Sequence, residues 1–205
     1  MSDVSKARED FLRDTINHTM QVRRDDGLYR HIEFSRSGSS IYRFDLITWP
    51  GYLTICGDMG TWTFSRTPDM FEFFGGDFEK GVNPRYWGEK LQMGTSGSRD
   101  EICMEFDEES FCKGLLEWLE RYQEDRDEDE EDYSRISDAV NELCEAGFRY
   151  EYEACQALRD SDIPNPFDVM EGLTTKRYSH HYLWILHAIV WGIGQYTAAK
   201  QPANS

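Results

Sequence analysis

The chain lacks a run of about 20 apolar residues, the length that spans a bilayer. Its longest apolar stretch, Tyr182 to Tyr196, is interrupted by His187, Gly192, Gly194 and Gln195. No basic segment leads into an apolar one near Met1, since Met1 to Asp14 is mostly polar and reads as the start of an amphipathic helix, and no secretory signal is expected. Cysteines are few and unpaired in sequence. Cys56, Cys103, Cys112, Cys144 and Cys155 make an odd five with no C-x-x-C, which excludes the spaced zinc and thioredoxin-like motifs. A chain of 205 residues buries roughly 70% of its unfolded surface and needs no disulfide staples, so the thiols are expected to be reduced. Walker A, G-x-G-x-x-G, G-x-S-x-G, H-E-x-x-H and kinase signatures are all missing, and no catalytic residue, metal or cofactor is assigned. Bases are scarce as well: 22 Lys and Arg against 39 Asp and Glu leave −17, which repels phosphate backbones and anionic lipids. Direct nucleic-acid or membrane binding is therefore not expected.

What is present is a globular composition, 39% hydrophobic and 14% aromatic, and the chain reads as one domain, 1–205. Val4, Ala7, Phe11, Ile16 and Met20 recur at a helical period, so residues 1–27 read as an N-terminal helix, Asp3 to Met20, stopped by Gly27. From Leu28 the period becomes two. Tyr29 to Ser35, Ile41 to Trp49, Tyr52 to Cys56 and Thr61 to Ser65 alternate between turn clusters at Ser37–Ser40, Pro50–Gly51 and Gly57–Gly60, which gives a four-stranded antiparallel meander over 28–66.

Residues 67–92 read as short helices, the first capped by Thr67 with Pro68 at its first position and apolar through Met70, Phe71, Phe73 and Phe74. Gly94 to Ser98 reads as a loop, and Glu101 to Phe106 as a strand or the lead-in to a helix. Residues 107–199 are helical. Asp107 caps a helix with Phe111, Leu115, Trp118, Leu119 and Tyr122 on one face; others follow at Tyr133 to Gly147, Tyr150 to Leu158 and, after a break at Ile163-Pro-Asn-Pro-Phe167, His180 to Ala199. Strands first and helices after give an α+β fold, an antiparallel sheet packed against helices.

Three places invite a functional reading. Between Asp100 and Asp132, 16 acids face three bases, and Glu124 to Asp132 holds eight acids in nine residues. Such a block is either a solvated linker or a surface whose carboxylates imitate DNA phosphates and occupy the basic groove of a nucleic-acid-binding protein. The turn Cys56-Gly57-Asp58-Met59-Gly60, with Asp45, Trp49 and His31 on neighbouring strands, combines a thiol, a carboxylate and a base, but Asp and Gly are also what a tight turn requires. On the last helix His180, Trp184, His187 and Trp191 share a face beside His181, an arrangement better suited to core packing than to a ligand set.

At Tyr42-Arg-Phe-Asp-Leu-Ile-Thr-Trp-Pro-Gly51, Cys56-Gly-Asp-Met-Gly-Thr61, Phe64-Ser-Arg66 with Asp69-Met-Phe-Glu-Phe-Phe74, and Tyr182 to Tyr196 with its Ala188-Ile-Val-Trp-Gly-Ile193 centre, the sequence resembles a family of uncharacterised proteins of tailed phages and prophages. The likeness covers about residues 28 to 92 and the last helix. It implies a small accessory phage protein acting in the cytoplasm of the bacterial host, a class in which many members disable host defence and several are acidic DNA mimics. With the local charge, the expectation is a non-enzymatic defence inhibitor of the anti-CRISPR or anti-restriction type. Its partner would be a host nucleic-acid-binding complex with a basic groove, met by Asp107, Glu108, Glu109, Glu124, Asp125, Asp127, Glu128, Asp129, Glu130, Glu131 and Asp132. Two other readings stay open: docking through an aromatic surface around Trp49, Tyr52, Trp62 and Met70 to Phe74, and a metal-dependent nuclease or nucleotide hydrolase using Asp45, Asp58 and Asp69. The sequence also leaves a homodimer open.

Overall fold

The computed structural model describes residues 2–92, 102–124 and 130–201, so the loop expected at Gly94 to Ser98 and the centre of the acidic block lie outside the described residues. The chain is α+β, with a five-stranded antiparallel sheet and eight α-helices among the described residues, and it divides into two compact units.

The first unit comprises Met1–Met104 and Tyr178–Ser205. Helix α1 (Asp3–Thr15) opens it, with the Ser2 side chain accepting from the Ser5 amide at the cap. The expected continuation to Met20 does not form: Ile16 is exposed, and Thr19–Asp26 is an additional strand, β1. Gly27 is no helix stop but the left-handed turn residue, at φ +60°, between β1 and β2 (Tyr29–Ser35). The other strands are the expected ones, β3 (Phe44–Trp49), β4 (Tyr52–Gly57) and β5 (Gly60–Ser65), in the consecutive order β1-β2-β3-β4-β5. The strand expected from Ile41 begins only at Phe44, because Tyr42 adopts a left-handed φ of 59° with its amide donating to Asp58 Oδ2.

The alternation of β2 to β5 splits the sheet into two faces. Ile32, Phe34, Phe44, Leu46, Leu53, Ile55 and Phe64 point inward and are at most 2% exposed, each contributing roughly 1.5–3 kcal/mol of burial. Against them packs α8 (His180–Lys200), apolar almost all round, together with α1. Phe11 of α1 sits edge-on to Trp184 and Trp191 at ring distances of 5.0 and 5.7 Å. Gly192 gives room to Leu46 and Phe34, and Gly194 lies against the backbone of Gly76, whose oxygen an added Cβ would meet at 2.7 Å. The glycines that interrupt the apolar run are thus packing positions. Among the described residues no helix is long and apolar enough to cross a membrane.

Between sheet and last helix run α2 (Met70–Phe74), a 3₁₀ turn (Phe78–Lys80) and α3 (Pro84–Gly88). Helix α2 starts two residues later than Thr67 and Pro68 suggested, because Asp69 is the cap: its Oδ1 accepts from the Phe71 amide at 2.9 Å. The same carboxylate takes both ends of the Arg30 guanidinium at 2.8 Å, and Arg30 lies over the Phe71 ring.

The second unit is Glu105–Arg177. The chain enters and leaves it through β6 (Met104–Phe106) and β7 (Lys176–Tyr178), which pair with each other. Its helices are α4 (Glu108–Glu124), α5 (Glu130–Glu145), α6 (Glu151–Asp160) and α7 (Pro166–Gly172). Phe111, Leu115 and Leu119 of α4 meet Ile136, Val140 and Leu143 of α5 and Ala154 and Leu158 of α6 in a core of its own. Helix α7 occupies part of what reads in sequence as a break, since Pro166 is its first residue and Asn165 precedes it at a left-handed φ of 49°.

Candidate functional site

The acidic residues gather in one structural unit. Residues 105–177 hold 23 acids against eight bases, a net of −15, while the first unit has 16 acids against 14 bases, a net of −2, together the chain's −17. The charge follows from helix patterning: α4 and α5 turn apolar stripes to their shared core and are left with Asp and Glu outside. Most of the bases present are spent locally, Lys113 on Glu117, Arg135 on Asp132, Arg159 on Asp160, Lys176 on Glu151 and Arg177 on Glu105. Along α5, Glu131, Asp138 and Glu142 stay exposed with no ion pair among the described residues, and with Asp162 they border a groove of about 560 Å³. Spacings of seven and four residues place these carboxylates about 10 and 6 Å apart along the helix axis.

The expected contact residues fare differently. Glu109, Glu124, Glu131 and Asp132 are exposed. Asp107 serves the fold: it stands at the start of α4, accepts from Ser110 Oγ at 2.6 Å and lies 3.7 Å from Arg177. Glu108 is half-buried with its Oε1 enclosed and unpaired. Glu130 opens α5, and Asp125, Asp127, Glu128 and Asp129 lie outside the described residues. Asp138, Glu142 and Asp162, which complete the groove, stand beyond the dense acidic run in sequence; the helical period of α5 was the signal for the first two.

On the outward face of the sheet the register assembles a second polar group. Asp45 stands opposite Glu33 on one side and Cys56 on the other. His31 Nε2 lies 2.9 Å from Asp45 Oδ2, Arg43 donates to the same oxygen at 3.2 Å, and Arg23 donates to Glu33 at 2.9 Å. The sequence singled out His31, Asp45 and Cys56 but not Glu33, which shares the outward parity of His31 on β2, nor Arg43, just ahead of β3, nor Arg23 on β1, a strand with no alternation to reveal it. Cys56 is no poised nucleophile, because burial, and after it the Asp45 charge, push its thiol above the ordinary value. The turn beyond it is explained by the backbone: Asp58 N donates to Arg43 O, and at Gly57 a Cβ would collide with that carbonyl. A recess of about 400 Å³ lies among Ser40, Arg43, Asp45, Cys56 and Asp58.

The remaining candidates are occupied by the fold. Asp45, Asp58 and Asp69 are engaged by His31 and Arg43, by the Tyr42 amide and by Arg30, and no group of three His, Cys, Asp or Glu suited to a metal ion occurs among the described residues. Of the aromatic surface, Met70, Phe71 and Phe74 are core and Trp62 donates to Met59 O, while Trp49 and Tyr52 stack on the sheet at 5.1 Å. On α8, Trp184 donates to Asp14 Oδ2 at 3.1 Å, and His187 is 1% exposed with Nε2 3.2 Å from Val4 O. Comparison with protein-family models, with curated proteins and with solved structures found no match.

Proposed function

We propose that this protein acts by binding rather than by turnover, its helical unit 105–177 engaging the basic, nucleic-acid-binding surface of a partner protein in place of nucleic acid. The observation that carries the reading is the confinement of −15 of the −17 charges to that unit. Charge placed at random would follow length, and the larger first unit is close to neutral. A concentrated field of one sign steers a basic partner and discourages acidic ones. The carboxylates of Glu131, Asp138 and Glu142, exposed and without an ion pair among the described residues, offer acceptors in a row to Lys and Arg side chains that otherwise hold phosphates. In the setting that the family resemblance suggests, the partner is a host defence complex that grips nucleic acid, such as a CRISPR effector or a restriction enzyme, and the protein is its inhibitor.

The test is affinity capture of the tagged protein from nuclease-treated bacterial lysate, beside a variant with Glu131, Asp132, Asp138 and Glu142 changed to Gln and Asn. Recovery of a nucleic-acid-binding complex by the native chain, lost in the variant and weakened by salt, is the expected result. Equal recovery by both chains would place the interface elsewhere.

A further inference from the structure

The α6–α7 surface of the second unit carries a feature that acidity does not explain. Phe167 is 74% exposed, Tyr152 65% and Tyr150 47%, and the Tyr150 and Tyr152 rings stack at 5.7 Å. Helix α7 is short and turns Val169 into the core, which leaves Phe167 on its outer side. Between the two helices lies a groove of about 580 Å³ walled by Tyr152, Cys155, Arg159, Pro166, Phe167 and Met170. A single exposed apolar residue is ordinary; aromatic rings gathered at the mouth of a groove are the composition of interface anchors.

The charge around the groove selects its occupant. Between residues 149 and 172 six acids stand against two bases, Arg159, which is paired with Asp160, and Arg149, which lies over the Tyr150 ring. Asp168 and Glu171 are exposed, each one residue beyond Phe167 and Met170. A second copy of the chain would bring a unit of −15 against another, which opposes self-association. We infer that the α6–α7 groove receives a basic amphipathic segment of a partner protein, its apolar side chain seated against Phe167, Tyr152 and Met170 while its Lys and Arg meet the acidic rim. This rests on the reading of the unit as a binder of basic protein surfaces and adds the anchor that charge alone lacks. Carboxylates give attraction that salt screens, whereas a seated apolar side chain gives affinity that salt leaves in place.

The test uses the full chain and two synthetic peptides of equal length and net charge, one of Lys and Leu in an amphipathic helical pattern, the other with Ser at every Leu position. Affinities are read by fluorescence anisotropy for the native chain and for Phe167→Ser and Tyr152→Ser, both surface changes that leave the core intact. The native chain should bind the Lys/Leu peptide about 10- to 100-fold more tightly than the Lys/Ser peptide, the gain expected of one or two seated Leu side chains. Phe167→Ser should remove most of that preference while leaving Lys/Ser binding unchanged. Equal affinity for both peptides, indifferent to Phe167→Ser, overturns the groove and leaves the acidic reading standing. Binding of neither peptide at low salt overturns both. A native chain that sediments as a dimer and becomes monomeric with Phe167→Ser assigns the groove to a second copy and refutes the proposed occupant.

Discussion

Mild acidification should weaken the first unit through His187. Its imidazole is 1% exposed, edge-on to Phe78, with Val4 O as the partner of Nε2 and none for Nδ1. Burial drives its pKa from 6.5 down to about 4, and the nearby Arg8 charge adds to the effect. In the unfolded chain the same ring titrates near 6.5. Above that value neither state holds the proton and stability is unaffected; as pH falls from about 6.5 towards 4 only the unfolded chain is protonated, and stability is lost. The loss amounts to about 2 kcal/mol near pH 5 and about 3 kcal/mol near pH 4. The carboxylates of Asp25, Glu33 and Asp69, held below their ordinary values by hydrogen bonds from Lys200, Arg23 and Arg30, lose their contribution only at lower pH, so the two windows separate. The assay is urea unfolding between neutrality and about pH 5 for the native chain and His187→Gln, with the difference of differences isolating this ring from His18, whose pKa burial also lowers. The variant should lose about 2 kcal/mol less than the native chain over that interval. Parallel losses would show that His187 is not held neutral by its surroundings.

Other consequences follow from named contacts. Gly194→Ala should destabilise, because overpacking backbone against backbone at Gly76 costs about 1–3 kcal/mol or more and outweighs the ~1 kcal/mol that Ala adds to a helix, whereas Gly172→Ala, with open space around it, should stabilise by up to about 1 kcal/mol; thermal melts of the two distinguish contact from propensity. Asp69→Asn keeps a capping oxygen but leaves the Arg30 guanidinium without the carboxylate that faces it in a largely enclosed site, and should cost about 2–4 kcal/mol in denaturant unfolding; a near-zero effect would mean that the pair is incidental. Cys144, half-buried between α4 and α5 and pushed up to about 12 by burial and its contact with Cys112, should resist a thiol reagent in the native protein and react once the unit is unfolded, and rapid labelling of the native chain would contradict its placement.

How much of this was legible in the sequence follows from which residues have one buried face. Strands β2 to β5 were readable because helices cover one side only, so Ile32, Phe34, Leu46, Leu53, Ile55 and Phe64 alternate with outward polar residues. Strand β1 was not, because as an edge strand it is exposed along nearly its whole length and has no alternation to show. Its first residues were absorbed into a helical pattern that stops where Ile16 would have faced water. Helix α7 was hidden by Pro164 and Pro166, which punctuate a chain equally well as a break or a helix start. The Phe167 surface was hidden with it. The sequence points to Thr67 as the cap where Asp69 serves, and Arg30, 39 residues away, completes the role of Asp69.

For the site, the excess of acid was plain in the sequence and its confinement to a folded unit was not, because that depends on where the chain closes on itself. Asp107 illustrates the gap: as a charge it resembles its neighbours, yet Ser110 and Arg177 hold it within the fold. The outward sheet cluster was half visible, since strand parity pairs Asp45 with His31 and Cys56 only once the register is fixed.

The central claim is that the helical unit takes the place of nucleic acid on a basic groove, and a competition experiment tests it most directly. A nucleic-acid-binding complex captured by the protein is loaded with labelled duplex DNA, and the protein is titrated in at several salt concentrations. Displacement of the DNA with matching stoichiometry, at an affinity that falls steeply with salt and is lost when the α5 carboxylates are neutralised, is the predicted result. A stable ternary complex, with DNA and protein bound together, would contradict it.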